Sequence, residues 1–322
     1  GFNGRFQMRF APDSVSRGTI GTETATAMAE IAGFPRGMTT YAGSKLGKKI
    51  TDVLKLMAGE FAAAEDDEAG NDAIEKLMAE LAKAGPGVEF AAASPPNAAL
   101  SVTAYKDAAK AAATLAKLYK GMAAGGRIST VVLKDKPKVA EDARKHTGFT
   151  FAEVNLSFDF EATVASLPEM VRESTLASLK RVANERTTMW VGTDGKSVVT
   201  VTAKDWAAAS KLLDDKLGAT ATVGGEAGFQ LTRKNLPATA NMITLAETSQ
   251  MIVGLAEQMK AVGESLPGFP AIGAVKPVKG EPTYMGFAVV FKGDTATVDG
   301  FFPGAALAVA HKMLLPLFKN IE

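Results

Sequence analysis

Residues 199–213 read VTVTAKDWAAASKLL, an alternating run that passes without a break into an Ala-rich stretch. The same passage stands at 100–115 (LSVTAYKDAAKAAATL) and at 295–310 (TATVDGFFPGAALAVA). Alternation marks a half-buried strand and alanine favours helix, so each copy reads as a strand running into a helix. A second strand and a turn lie just upstream of each. The turns fall at Ser94-Pro95-Pro96-Asn97, Thr193-Asp194-Gly195 and Lys292-Gly293-Asp294. Self-similarity at a fixed period predicts a chain assembled from one β-hairpin–helix unit. The expected fold is α+β, an antiparallel sheet with helices packed on one face.

Four segments follow from this reading. Residues 1–85 hold an N-terminal strand (4–10) and a helix hairpin, 86–186 the first unit, and 187–283 the second. Residues 284–322 form a partial third unit. In the first segment, Ile50, Val53, Leu54, Met57 and Phe61 predict a helix over 46–64. Glu65–Glu68 form an acidic tip, and Asp72 with Glu75 reads as the capping box of the next helix. Between the units, 127–133 reads as a strand. In 149–162, Ala152, Val154, Leu156, Phe158 and Phe160 alternate with Glu153, Asn155, Ser157, Asp159 and Glu161, a long strand with one polar face. Helices are predicted at 105–122, 168–185, 204–217 and 237–262, and from Pro303 toward Asn320. The stretch 264–283, with Pro267, Pro270, Pro277 and Pro282, has no helical period and reads as a linker.

Composition narrows the function classes. The chain of 322 residues is 47% hydrophobic with a net charge of +1, and its mean hydropathy is +0.06. Such a balance predicts a folded globular protein and offers no overall basic footprint for nucleic acid. There is no cysteine, so disulfides, thiolate nucleophiles and cysteine metal sites are excluded. The longest apolar stretch, 305–318, is interrupted by His311, Lys312 and Pro316 and is too short to span a bilayer. The opening Gly1-Phe2 reads as the trace of a removed signal peptide or anchor.

Several motifs suggest chemistry and fail on context. Tyr41 and Lys45 have Tyr-x-x-x-Lys spacing, but no Gly-rich dinucleotide turn precedes them, and they read as a turn before a helix at Leu46. Gly195-Lys196-Ser197 resembles the end of a phosphate loop. Trp190 stands where its first glycine belongs, and Gly195 reads as a turn glycine with positive φ. His311 reads as packed on the last helix and His146 as a helix C-terminal cation. Asp159 and Glu161, about 6.8 Å apart on one strand face, have the spacing of an inverting glycosidase pair. Their neighbours are polar, which favours a solvated face. Asn155, Asp159 and Glu161, or separately the acidic tip at 65–72, could also supply oxygen ligands for Ca²⁺. No cofactor motif, metal site or catalytic residue is assigned.

The stretches MWVGTDGKSVVTVTAKDWAAA and TATVDGFFPGAALAVAHKMLLPL resemble uncharacterised exported bacterial proteins of planctomycete type, built from Ala-rich hairpin–helix repeats. The resemblance implies an exported, periplasmic or envelope location, with a cytoplasmic location as the alternative, and no active site is carried over from it. The leading expectation is a non-catalytic binding protein for an apolar small molecule or a protein partner, with no nucleic acid and no transmembrane segment. Its speculative contacts are Trp190, Trp206, Met242, Met251 and Phe269, because methionine-rich arcs and aromatics suit adaptable apolar surfaces. The alternatives are a self-assembling envelope protein and a hydrolase using the carboxylate pair or His311.

Overall fold

The computed structural model describes residues 1–11, 13, 14, 17, 24–45, 61, 62, 67–218, 221–265, 275 and 280–318. In chain order the elements begin with β1 (Phe2–Arg9), β2 (Thr26–Ala27), β3 (Thr40–Ser44), β4 (Phe61–Ala62), α1 (Glu68–Lys83), β5 (Pro86–Ser94), β6 (Ala98–Tyr105) and α2 (Ala108–Gly121). There follow β7 (Arg127–Ile128), β8 (Val131–Leu133), β9 (Lys138–His146), β10 (Phe149–Asp159), α3 (Phe160–Val164) and α4 (Glu169–Val182). Next come β11 (Arg186–Thr193), β12 (Ser197–Ala203), α5 (Trp206–Gly218), α6 (Ala227–Lys234), β13 (Thr239–Ala240) and β14 (Met242–Glu247). The chain closes with α7 (Thr248–Ser265), β15 (Tyr284–Lys292), β16 (Thr295–Phe302) and α8 (Gly304–Phe318). The protein is α+β, and its paired strands are antiparallel.

All three predicted hairpin–helix passages are present. Their strands and helices begin at 86, 98 and 108, at 186, 197 and 206, and at 284, 295 and 304. Descent of the three from one unit is a reading of the sequence alone. Two share a device that stops the strand and starts the helix. Asp107 accepts from the Lys110 N–H at 3.0 Å, and Asp205 from the Ala208 N–H at 2.8 Å. Each carboxylate satisfies an N–H that has no partner within the helix. At the third junction Pro303 stands instead, and its carbonyl accepts from Leu307 N–H. Gly195 has φ +86, the left-handed turn expected of it. Asp194 fixes that turn by accepting from the Lys196 and Ser197 N–H groups.

The chain folds into two compact units of non-contiguous stretches. One comprises 1–45, 168–178 and 218–322, the other 46–167 and 179–217. In the first unit the strand order is β1-β16-β15-β14-β3. One sheet face carries Ile243, Leu245, Ala288, Phe301 and Tyr41, all buried. Helix α6 packs on this face through Phe229. Phe229, Tyr41 and Tyr284 have ring centroids 5.7–5.9 Å apart in edge-to-face contacts, the favoured aromatic geometry. Gly286 on β15 gives Thr232 and Leu236 room to approach the sheet, since a Cβ there would lie 2.7 Å from the Leu236 methyl.

In the second unit the order is β5-β6-β12-β11-β10, with β9 and β8 both paired to β10. Val154, Leu156, Met189, Val191 and Val198 make one face, and Ala108, Ala111 and Tyr119 of α2 join their cluster. Helix α1 packs on α2. The other face carries Phe151 and Trp190, and Trp206 at the start of α5 makes edge-to-face contacts with both. Helices therefore lie against both faces of this sheet.

Several elements differ from expectation. Residues 237–262 were expected as one helix, yet 242–247 form β14, hydrogen-bonded to β3 and β15 on its two sides. A run such as Met-Ile-Thr-Leu satisfies either period, and pairing with two neighbours decides for the strand. Helix α1 begins at Glu68, before the expected Asp72, because Asp67 accepts from the Gly70 N–H. Phe61 and Ala62, expected at a helix end, pair with β7 as a short strand, while the rest of the 46–60 helix lies outside the described residues. Tyr41 belongs to strand β3, where a turn was expected.

Candidate functional site

The described part of the second unit contains a cleft of about 690 Å³ with a mixed polar and apolar lining. It lies where β9, β10, β11 and β12 come to one end of the sheet. The register places Lys138 opposite Asn155, Asn155 opposite Thr188, and Thr188 opposite Ala203. Directly opposed residues share a sheet face, so these four form a row across four strands. Arg186 stands opposite Ser157 one step along. The β5–β6 turn contributes Pro96 and Asn97, and the chain before β9 contributes Asp135 and Lys136.

Hydrogen bonds hold this framework. Thr188 Oγ1 donates to Asn155 Oδ1 at 2.8 Å, and Asn155 Nδ2 donates to Glu153 at 3.2 Å. Asn184 Nδ2 reaches the Pro96 carbonyl at 3.0 Å, tying the turn to the start of β11. Four cations line the cleft, Lys136, Lys138, Arg186 and Lys204, against the single carboxylate Asp135. None of the four takes part in the ion pairs among the described residues. Elsewhere in this unit Lys120, Arg144, Lys180 and Lys211 each have a carboxylate partner. The cleft is thus a local positive field in a nearly neutral chain, suited to an anion.

A second feature lies on the first unit. The registers put Phe2, Phe6 and Met8 on one sheet face with Val298, Phe302, Phe287, Val289 and Met242. Phe2 and Phe6 are each 61% exposed, Met8 46%, Phe287 42% and Met242 36%. Exposed apolar side chains scattered singly are ordinary, but a contiguous set marks a contact surface. Strand β1 has β16 on one side and no described strand on the other. Its two arginines point to the opposite face and are neutralised within the chain, Arg5 by Asp299 at 2.6 Å and Arg9 by Asp294 at 3.0 Å.

The residues singled out from sequence are not gathered in one place. Trp190 is 2% exposed and donates to Glu153 at 3.1 Å, and its ring meets Trp206 with centroids 5.4 Å apart. Trp190 is core of the second unit and Trp206 is half-buried against it, whereas Met242 and Met251 belong to the first unit and are exposed. Phe269 lies outside the described residues. Asp159 and Glu161 do not share a strand face, because β10 ends at Asp159. Asp159 caps α3 by accepting from the Ala162 N–H at 2.8 Å, and Glu161 on that helix pairs with Lys180 at 3.3 Å. His311, expected to be packed, is exposed. His146 ends a strand rather than a helix, 2.8 Å from Asp214 and edge-on to Trp206. No cluster of metal-ligating side chains occurs among the described residues.

Tyr41 and Tyr284 are the strongly perturbed acids. Tyr41 Oη donates to the Pro35 carbonyl at 2.9 Å and accepts from the Met38 N–H at 3.1 Å. Burial, reinforced by the Glu226 carboxylate, pushes its hydroxyl up to about 12, against the lowering effect of the Met38 bond. Tyr284 is raised further, by burial and by its short hydrogen bond to Glu226. Both stay neutral at ordinary pH, so they lock α6 to the sheet and supply no nucleophile. The chain matches no family model, no curated protein and no solved structure. Among the described residues no helix is long and apolar enough to cross a membrane.

Proposed function

We propose that the protein is a non-catalytic binding protein that works through protein–protein contact, with a second copy of the chain as the occupant of its open sheet face. The observation that carries this reading is the exposed apolar row Phe2, Phe6 and Met8 on a strand with one edge unpaired among the described residues. A small-molecule site encloses most of its ligand, and an open sheet face does not, so a second protein surface suits it better. Antiparallel pairing of β1 with its twin about a twofold axis is self-complementary and closes both edges at once. Because Asp299 and Asp294 already neutralise Arg5 and Arg9, this approach brings no unpaired like charges together.

Analytical ultracentrifugation of the purified chain over about 1–100 μM tests it, a range that brackets a micromolar association. A concentration-dependent dimer is expected, abolished by Phe6→Lys, whose exposed site leaves folding unharmed. A monomer throughout, or a dimer that Phe6→Lys leaves intact, overturns it. A monomer that carries co-purified lipid in native mass spectrometry favours the apolar-ligand reading instead. An exported, envelope setting goes with this proposal, supported by the resemblance of the hairpin–helix stretches, and cell fractionation tests that part.

A further inference from the structure

We infer that the second unit's cleft binds a small, hydroxyl-rich anion, a phosphorylated or carboxylated sugar. Its volume of about 690 Å³ falls in the range of small-molecule sites, roughly 300–1,000 Å³. The charge set is specific to the place. Lys136, Lys138, Arg186 and Lys204 come from three separate stretches of chain, converge on one concavity and have no carboxylate partners among the described residues. Like charges gathered without partners repel one another, and an anionic ligand relieves that repulsion.

Arg186 offers a planar donor fork and the lysines movable point charges, which suits phosphate or carboxylate alike. Beside Pro96, Leu156 and Ala203, the lining carries the amides Asn97 and Asn184 and the hydroxyls Thr187 and Thr188, which can meet the hydroxyls and the carbon faces of a sugar together. Pairing on β9–β12 and the Asn155–Thr188 and Asn184–Pro96 bonds keep the walls in place without the ligand. A site preorganised in this way loses little affinity to ordering its own groups.

Isothermal titration at low ionic strength tests the inference with four probes: glucose 6-phosphate, glucuronate, inorganic phosphate and glucose. One of the two sugar anions is expected to bind well below about 10 mM, and the tighter of them distinguishes a phosphate from a carboxylate site. Glucose is expected to be silent. Arg186→Gln with Lys204→Gln should weaken binding roughly tenfold or more. Lys211→Gln, which removes a cation paired with Asp215 outside the cleft, should leave binding unchanged. Failure of both sugar anions to bind by about 10 mM overturns the site. So does equal loss in Lys211→Gln, the mark of diffuse attraction. Inorganic phosphate binding as tightly as glucose 6-phosphate overturns the sugar assignment. Exposed positions are altered throughout, and an unchanged urea midpoint confirms that the variants fold.

Discussion

Tyr41 has no exposure to solvent, and its hydroxyl is the partner of two buried backbone groups, the Pro35 carbonyl and the Met38 N–H. Tyr41→Phe leaves both unpaired without changing the packing, and should cost about 1–3 kcal/mol in urea unfolding. The raised Tyr41 and Tyr284 hydroxyls also set an alkaline limit. A group held more strongly protonated in the fold contributes stability that is fully present below its unfolded value, about 10 for tyrosine. That stability is lost as pH rises from there through about 12 for Tyr41. Ultraviolet titration should show Tyr41 and Tyr284 ionising late, together with alkaline unfolding, and Tyr41→Phe should remove part of this pH dependence. Gly192 is the matching point in the second unit. A Cβ there would stand 2.3 Å from the Phe151 ring, so Gly192→Ala should cost about 1–3 kcal/mol by overpacking.

At the scale of elements, the helix starts are the most legible part of the sequence. The Lys-Asp pair before α2 recurs before α5, and in both the aspartate accepts from an N–H in the first turn. Asp107→Ala and Asp205→Ala should each cost about 1 kcal/mol in urea unfolding. A smaller loss in both would mean that packing of α2 and α5 already fixes their starts. The end of α6 is marked just as locally, by Arg233 donating to the Pro237 and Ala238 carbonyls. Strand β14 was not legible. Met242–Glu247 lies beside the helical run of α7, and its apolar residues fit the helical period as well as the strand period. Hydrogen-bonding to β3 and β15, strands some two hundred residues before it and some forty after it, resolved the choice.

For the whole molecule, the two candidate surfaces should answer salt in opposite ways. Raising ionic strength from about 0.05 to 0.5 M shortens the Debye length severalfold, so it should weaken anion binding in the cleft. Self-association through Phe2, Phe6 and Met8 rests on apolar burial, with Arg5 and Arg9 paired inside the chain. It should persist or strengthen under the same change. Sedimentation and titration on one salt series read both outcomes, and parallel loss of the two would mean that one electrostatic surface serves both. A net charge of +1 gave no hint of the cleft, because an average over the chain conceals four cations that converge only after folding.

Period and punctuation, which are properties of neighbouring residues, were written in the sequence itself. They set the antiparallel α+β class, the three hairpin–helix passages, the left-handed glycine at 195 and the alternation of β10. Tertiary structure alone decided what these elements meet. It turned Asp159 into a helix cap and paired Glu161 with Lys180, placed Trp190 in a core, and aligned Phe2, Phe6 and Met8 with Phe287 and Met242 on an open face. It also drew Lys136, Lys138, Arg186 and Lys204 into one cleft. The physical reason is range: caps and turns act within a few residues, whereas burial and charge convergence depend on strand neighbours far apart in the chain.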